Sequence, residues 1–410
     1  MRILVLHRVP FDVVRYADGI DHSAHEVTYV GTGQRLADLD PDLRCTRLQR
    51  PGSDDVASEV LAAVSGQPKP DLVIALSEYD LMHAAAVRCV LGVDGDSLNE
   101  VMPVRDKVVM KTAVTRAGLR IPRFRPLPED LASGRTPWNG VTVLKPRRGA
   151  ASEHIRLFET PAAMRHSVRS QALPAGTEAG DYEIEEYIDG PILHVDGLVV
   201  DGRPVAVQAG RYVGSCLGYA QGETLGVVQI PTDPPLVAWT MRCLAAVGIT
   251  TGLFHLEAIE SPDGPVFLEV GARTGGGNLI ETFELATGMH LPSMYLRLMT
   301  DPGCGLPVVR QPGIGSLYGS FMYPGHHLPN GRFRIRAEEP FRSSPLVFRW
   351  VQRSADKPCG TAISYADADV PLAGVIGPAS TDELERFLSE LFVTVRIDPA
   401  LGRGPLRDSA

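Results

Sequence analysis

The first hundred residues alternate short apolar runs with amphipathic stretches. Ile3–Leu6, Glu26–Val30 and Leu72–Leu76 are rich in branched aliphatic residues and read as strands. Asp55–Val64 and Tyr79–Leu91 carry apolar residues at helical spacing. This strand–helix rhythm predicts a small parallel sheet. No G-x-G-x-x-G follows the first strand, where LHRVPFDVV stands, so a nicotinamide-dependent dehydrogenase is a weak reading. His7, Arg8 and Glu78 follow strand ends, where ligands collect in open α/β sheets. Ordinary loop polarity accounts for them equally well.

Residues 104–117, VRDKVVMKTAVTRA, predict one helix that stops at Gly118. Pro122, Pro126, Pro128 and Pro137 then punctuate a connector. From Val141 the period changes to two: TVLKP, the loop RRGAAS and HIRLF predict a hairpin. A helix near Pro161–Gln171 and a strand Tyr182–Ile188 complete a small α+β module. LHVDGLVV and PVAVQAG flank Asp201-Gly202, a strong turn signal. A glycine-containing loop Gly210–Gly226, a helix Leu236–Val247, a hairpin Gly252–Val270 and a helix Leu279–Thr287 follow. Beyond residue 300 the pattern is mixed, and Ser380-Thr381-Asp382-Glu383 announces a last helix through a capping box. The fold class is therefore α/β and α+β, multidomain.

Composition narrows the function. The 410 residues suffice for several domains, and 44% hydrophobic with 22% charged residues is ordinary for a soluble globular protein. A net charge of −9 disfavours nucleic acid as a partner. No apolar run approaches the roughly 20 residues of a membrane span. MRILVLHRVP reads as a first strand, not a signal peptide. The six cysteines are too sparse for a disulfide framework or a metal pair, so free thiols in a cytoplasmic protein are expected. Only five of the forty basic residues are lysines: Lys69, Lys107, Lys111, Lys145 and Lys357. A retained lysine then hints at a place needing a compact ammonium.

The strongest chemistry lies in GLFHLEAIESPDGPVFLEVGARTGGGN. Two alternating strands flank Ser261-Pro262-Asp263-Gly264. Centring the hairpin on Asp263 sets Glu257 directly opposite Glu269, with Cβ atoms about 5 Å apart, where like charges repel. A cation between them resolves the repulsion, and two hard oxygen ligands suit Mg²⁺. Alternation puts His255, Glu257, Glu269, Gly271 and Arg273 on one face and Leu256, Ala258, Leu268, Val270 and Ala272 on the other. A solvated acidic face, or a slip of register, is the plainer alternative. Arg273-Thr274-Gly275-Gly276-Gly277-Asn278 then leads into a helix, a place for an anion, and Arg273 can hold a carboxylate or phosphate through its planar fork. Lys145 ends an apolar strand beside a small-residue loop, Arg147–Ser152, that could lie over phosphates. Lys107, taken alone, reads as a solvated helix position. Glu185-Glu186-Tyr187-Ile188-Asp189-Gly190 is a strand running into a turn whose backbone and one carboxylate could read a purine.

In this order and spacing the segments resemble the ATP-grasp superfamily, over roughly residues 100–290. Within it the chain looks most like carboxylate–amine ligases, including the L-amino-acid (dipeptide) ligases, through L-E-V-G-A-R-T-G-G-G and the long C-terminal region. The resemblance implies an ATP-grasp fold with an N-terminal Rossmann-like domain at 1–100 and a helical linker at 101–122. A lid subdomain at 123–189, a large catalytic subdomain at 190–300 and a C-terminal extension at 301–410 follow. It implies ATP and Mg²⁺, with Mn²⁺ as a substitute, and roles residue by residue. Lys107 and Lys145 would contact phosphates, and Ser152 with its loop would cover them. Glu185 would take the adenine amino group while Glu186, Tyr187 and Ile188 line the base. Glu257 and Glu269 would ligate the metal, and Arg273 with Lys145 would serve catalysis. Two departures stand out. Gly271 occupies a position where many relatives carry a third metal ligand, and Ile192 stands where an acidic ribose ligand is usual, which leaves His194 or Asp196 for the ribose. Substrate contacts would come from Arg273, Gly276, Gly277, Asn278, Glu78 and Arg211, and specificity also from His7, Arg8 and Tyr212.

The implied reaction joins an amino acid or related small acid to an amine through an acyl phosphate, releasing ADP and phosphate, in specialised metabolism. The partners are a small acid and a small amine, in a homodimer, without nucleic acid or membrane. Two rivals remain: the same fold with a thiol, hydroxyl or carrier-protein acceptor, and a nucleotide-binding module without ligase activity.

Overall fold

A computed structural model describes residues 1–171 and 173–400. Strands β1 (Arg2–Leu6), β2 (Glu26–Gly31), β3 (Thr46–Gln49) and β4 (Leu72–Ala75) form a parallel sheet in the order β3-β2-β1-β4. Both faces are covered, by Tyr16 and Leu296 against Val5 and Ile74 on one side and by Val60 and Ala84 against Leu4 and Val73 on the other. Such double burial explains the continuous aliphatic runs.

The helix expected over 104–117 is two helices, Leu98–Arg105 and Lys107–Arg116. Asp106 between them is extended, and its carboxylate accepts from the amides of Val108 and Val109. This N-cap restarts the helix at Lys107 and aims that side chain from a helix terminus. The next module is an antiparallel sheet of β5 (Phe124–Pro126), β6 (Thr142–Pro146), β7 (Arg156–Phe158) and β8 (Tyr182–Glu186), ordered β5-β8-β6-β7. Leu127, Trp138, Leu144, Met164, Tyr182 and Ile184 form its own core.

An eight-stranded antiparallel sheet carries the rest. Its strands are β9 (Ile192–Val200), β10 (Arg203–Val213), β11 (Leu225–Ile230), β12 (Gly252–Ile259), β13 (Val266–Gly271), β14 (Leu317–Tyr323), β16 (Val347–Gln352) and β17 (Leu372–Ala379). The order is β13-β12-β9-β10-β11-β14-β17-β16. The segment after residue 300 thus supplies three strands of this sheet, while β15 (Phe333–Arg336) pairs with β18 (Arg396–Pro399). Residues 401–410 lie outside the described residues. Much of the expected loop Gly210–Gly226 is regular: β10 runs through Val213, and a short helix covers Cys216–Ala220. The Lys107–Arg116 and Pro234–Val247 helices pack on one face, against Val195, Phe254, Leu256 and Val270. The Leu279–Thr287 and Leu291–Thr300 helices pack on the other, against Leu198 and Leu253.

Glu257 pairs with Glu269 as the hairpin arithmetic predicts. Toward the turn the register then slips, and Ala258 faces Phe267. Leu268 is the extra residue of a bulge, so Phe267 takes the buried place expected for Leu268. All six cysteines are free. Among the described residues no helix is long and apolar enough to cross a membrane.

Candidate active site

Sheet pairing assembles the site. Glu269 on β13, Glu257 on β12, His194 on β9 and Gly210 on β10 lie directly opposite one another in succession. The next row holds Gly271, His255, Asp196 and Gln208. All belong to one face, because cross-strand partners share a face.

Each carboxylate of the pair has its own donor. Lys107 Nζ lies 3.2 Å from Glu269 Oε2 and donates to the Gly149 carbonyl at 2.8 Å. The Tyr212 hydroxyl donates to Glu257 Oε1 at 2.9 Å, and His255 Nε2 approaches the same oxygen at 3.4 Å. Burial pushes the Glu269 carboxyl up, but Lys107 and Lys145 outweigh it and hold the group at about 2. Glu269 is thus an anion throughout the working pH range.

Under the pair lies a buried polar cluster. Asp196 accepts from His194 Nδ1 at 2.6 Å and from His255 Nδ1 at 2.8 Å. Burial lowers the His255 imidazole, yet the Asp196 charge overrides it and raises the ring to about 9; the two rings in turn hold Asp196 well below the usual carboxylate range despite its burial. These three residues are close enough to share a metal, but their nitrogens and oxygens are already joined by short hydrogen bonds. Gly275 packs on the cluster: a Cβ there would stand 2.9 Å from both Asp196 Oδ1 and His255 Nδ1. Because one carboxylate serves both rings, Asp196→Asn is expected to cost about 3–5 kcal/mol, the range for breaking a buried charge pair. Urea unfolding of the nucleotide-free protein checks this, and a loss below about 1 kcal/mol would contradict it.

Arg273 reaches the site from the end of β13. Its Nε donates to Glu78 Oε2 at 2.6 Å and its Nη1 to the Thr274 carbonyl at 2.8 Å. Arg105 takes the other oxygen of Glu78 and also donates to the Arg148 carbonyl at 2.9 Å. Burial works against the Glu78 anion, but Arg273 and Arg105 keep its carboxyl below the usual range. Glu78, expected at the substrate, is therefore spoken for on both oxygens and orients Arg273.

The small sheet is equally specific. Lys145 Nζ pairs with Glu185 Oε1 at 2.6 Å, both side chains almost wholly buried. Burial alone would lower the lysine, but Glu185 and Glu183 raise it above its ordinary value. Glu186 points to the opposite face of β8 and pairs with Arg123 at 2.5 Å, and its amide donates to the Arg123 carbonyl at 2.9 Å. Tyr187 is half exposed, and its amide donates to the Val141 carbonyl. Ser152 sits in a left-handed turn with Ala151 and His154, in the loop that Arg147 ties to Asp106 at 2.9 Å.

Three expected contacts are placed elsewhere. Arg211 pairs with Leu193 on the other face of the sheet and is held by Glu385 at 2.9 Å and Glu260 at 3.1 Å. It is one residue out of phase with Tyr212, which does face the site. Asn278 Oδ1 accepts at 2.8 Å from Arg349, which also holds Glu281 and Asp367, each at 2.6 Å. His194, offered for a ribose, is committed to Asp196, and its Nε2 is buried against Gly210. Gly276 and Gly277 do border open space: Cβ atoms there meet nothing nearer than 3.7 Å, the neighbours being Tyr365 and Met322. Tyr365 stacks on Tyr219 at 4.9 Å, and Tyr219 donates to the Ser364 carbonyl at 2.7 Å. Nothing in the sequence local to either tyrosine signals that the Cys216–Ala220 helix meets the segment of Tyr365.

A small antiparallel sheet beside a large one whose edge hairpin carries paired carboxylates is the ATP-grasp fold, and the chain superposes on such a structure over nearly its full length. An L-amino acid ligase from Bacillus licheniformis superposes with a TM-score of 0.70 at 19% identity, covering 98% of each chain. In sequence, an L-arginine-specific L-amino acid ligase of Bacillus subtilis is 22% identical over 250 residues, 57% of this chain and 59% of that protein. Carnosine synthase 1 of Gallus gallus is 27% identical over 186 residues, 39% of this chain and 18% of that protein. The chain thus matches less than two thirds of the length of either curated relative. No family model matches the sequence.

Proposed function

We propose that the chain is an ATP-dependent carboxylate–amine ligase that forms an amide through an acyl phosphate. The observation that carries this is the directly opposed pair Glu257–Glu269, with Lys107, Lys145 and Arg273 converging on it. The ligase names of the relatives support it.

Mg²⁺, or Mn²⁺ in its place, would be held by Glu257 and Glu269 and when bound would neutralise phosphate charge. The donor set fits, being two hard oxygens on one face, with Gly271 leaving the remaining positions to phosphate and water. Lys107 and Lys145 bind phosphate oxygens; Glu185 and the backbone of Glu186, Tyr187 and Ile188 hold the adenine. Ser152 and its loop cover the phosphates. The substrate carboxylate attacks the γ-phosphorus, the bond to ADP breaks, and an acyl phosphate forms. Arg273 steadies the carboxylate and then the acyl phosphate, while Gly276 and Gly277 leave room for the substrate side chain. An amine attacks the carbonyl carbon, phosphate leaves, and the amine proton goes to solvent. Positioning and charge neutralisation supply most of the rate.

A matrix of amino acids and small acids against amines, followed by ADP release, tests the proposal. Release is expected only where one acid and one amine are both present. Equal stimulation by a thiol or alcohol would move the acceptor class, and nucleotide binding without turnover on any pair would overturn the ligase reading.

A further inference from the structure

A four-charge network joins the Lys107–Arg116 helix to the lid sheet, and the proposed reaction does not by itself explain it. Lys111 lies one turn after Lys107, on the same helix, and its side chain is fully buried. Its ammonium donates to Glu183 Oε1 at 2.6 Å and to Glu185 Oε2. Glu185 Oε1 pairs with Lys145, which is also 4.0 Å from Glu183. Glu183 and Glu185 are two residues apart on β8 and so share a face, with Lys145 directly opposite Glu183 on β6. Two cations and two anions thus balance in a space closed to water, and Glu183 Oε2 is left without a partner.

The balance matters because Lys145 has two claims on it. Serving a phosphate weakens its hold on Glu185, and a buried carboxylate without a cation is strongly penalised. Lys111 comes from the helical body, not from the lid sheet, and already touches both carboxylates. We infer that Lys111 is a positioning residue of the nucleotide site: it is the standing counter-ion of Glu183 and Glu185, and so releases Lys145 to the phosphates. Glu185 thereby keeps a cation while Lys145 serves the phosphates. This rests on the reading of Lys145 and Glu185 as nucleotide contacts.

The test uses the full chain and measures Mg²⁺–ATP and adenosine binding by calorimetry or competition, beside thermal unfolding. Lys111→Met alone leaves a net buried negative charge, so the decisive variant is K111M/E183Q, which keeps one cation and one anion. It is expected to melt near the wild type and to bind ATP about 30-fold more weakly, while adenosine affinity changes less than about threefold. At saturating ATP, kcat should fall less than about threefold, and Lys111→Arg should retain most ATP affinity. Unchanged ATP affinity in K111M/E183Q would overturn the inference. So would an equal loss for adenosine and ATP, which would mark a merely structural role. A wild-type protein that binds no adenine nucleotide would remove the functional reading itself, and this inference with it.

Discussion

Glu269→Gln is expected to reduce ADP release by at least about 10³-fold, or about 4 kcal/mol of transition-state stabilisation. The amide keeps the size of the side chain and removes its charge. Glu269 is the member of the pair that Lys107 holds at 3.2 Å, and the lysines keep it ionised down to about 2. A neutral group there gives up a hard anionic ligand and removes the charge that Lys107 pairs with. Glu257 cannot compensate, since its Oε1 already accepts from Tyr212. A coupled assay of ADP release, with a thermal melt to establish that the variant folds, reads the effect. Near-normal release from a folded variant would sink the metal assignment.

Arg273→Lys is the second large effect, expected at about 10²–10³-fold in kcat, comparable to loss of one preorganised donor to a developing anion. Charge is retained, so the loss measures geometry. Arg273 spends Nε on Glu78 and Nη1 on the Thr274 carbonyl, and these two bonds fix the plane of the remaining edge. A lysine ammonium has no such plane: bonded to Glu78 it is drawn away from the sheet, and bonded to substrate it leaves Glu78 to Arg105. Steady-state kinetics separate the outcomes. A rise in KM alone would mean that Arg273 only binds the acid, and unchanged kcat and KM would remove it from the mechanism.

What was legible in the sequence followed period and pairing. The hairpin around Asp263 has strong alternation and a clear turn, so the opposition of Glu257 and Glu269 could be counted out residue by residue. The bulge at Leu268 could not, because the slip depends on Phe267 finding a buried place against the helices behind the sheet. Arg211 and Tyr212 differ by one position, and only the pairing of β10 with β9 says which faces the carboxylates. The burial of Lys111 is the least legible feature of the site. On its helix it looks like a solvated lysine, and its burial is created by β8 from a different module, 72 and 74 residues away. Two signals were nonetheless present: the scarcity of lysine in the chain and the period-two placement of Glu183 and Glu185. His194 and Asp196 share that period too, and their link to His255 needed the register of β9 with β12. The strands beyond residue 300 were obscured because their apolar pattern carries no mark of the sheet they join. Arg105 and Arg273 meet on Glu78 across a distance in sequence that no local pattern spans.

The central claim, that a carboxylate is activated by phosphorylation, is tested most directly by oxygen transfer. The acid identified by the ADP-release matrix is labelled with ¹⁸O in its carboxylate, and the products are examined by mass spectrometry. Each amide formed should be accompanied by one ADP and one phosphate carrying a single ¹⁸O from the acid. Phosphate free of label, or label appearing in AMP with release of pyrophosphate, would contradict the account.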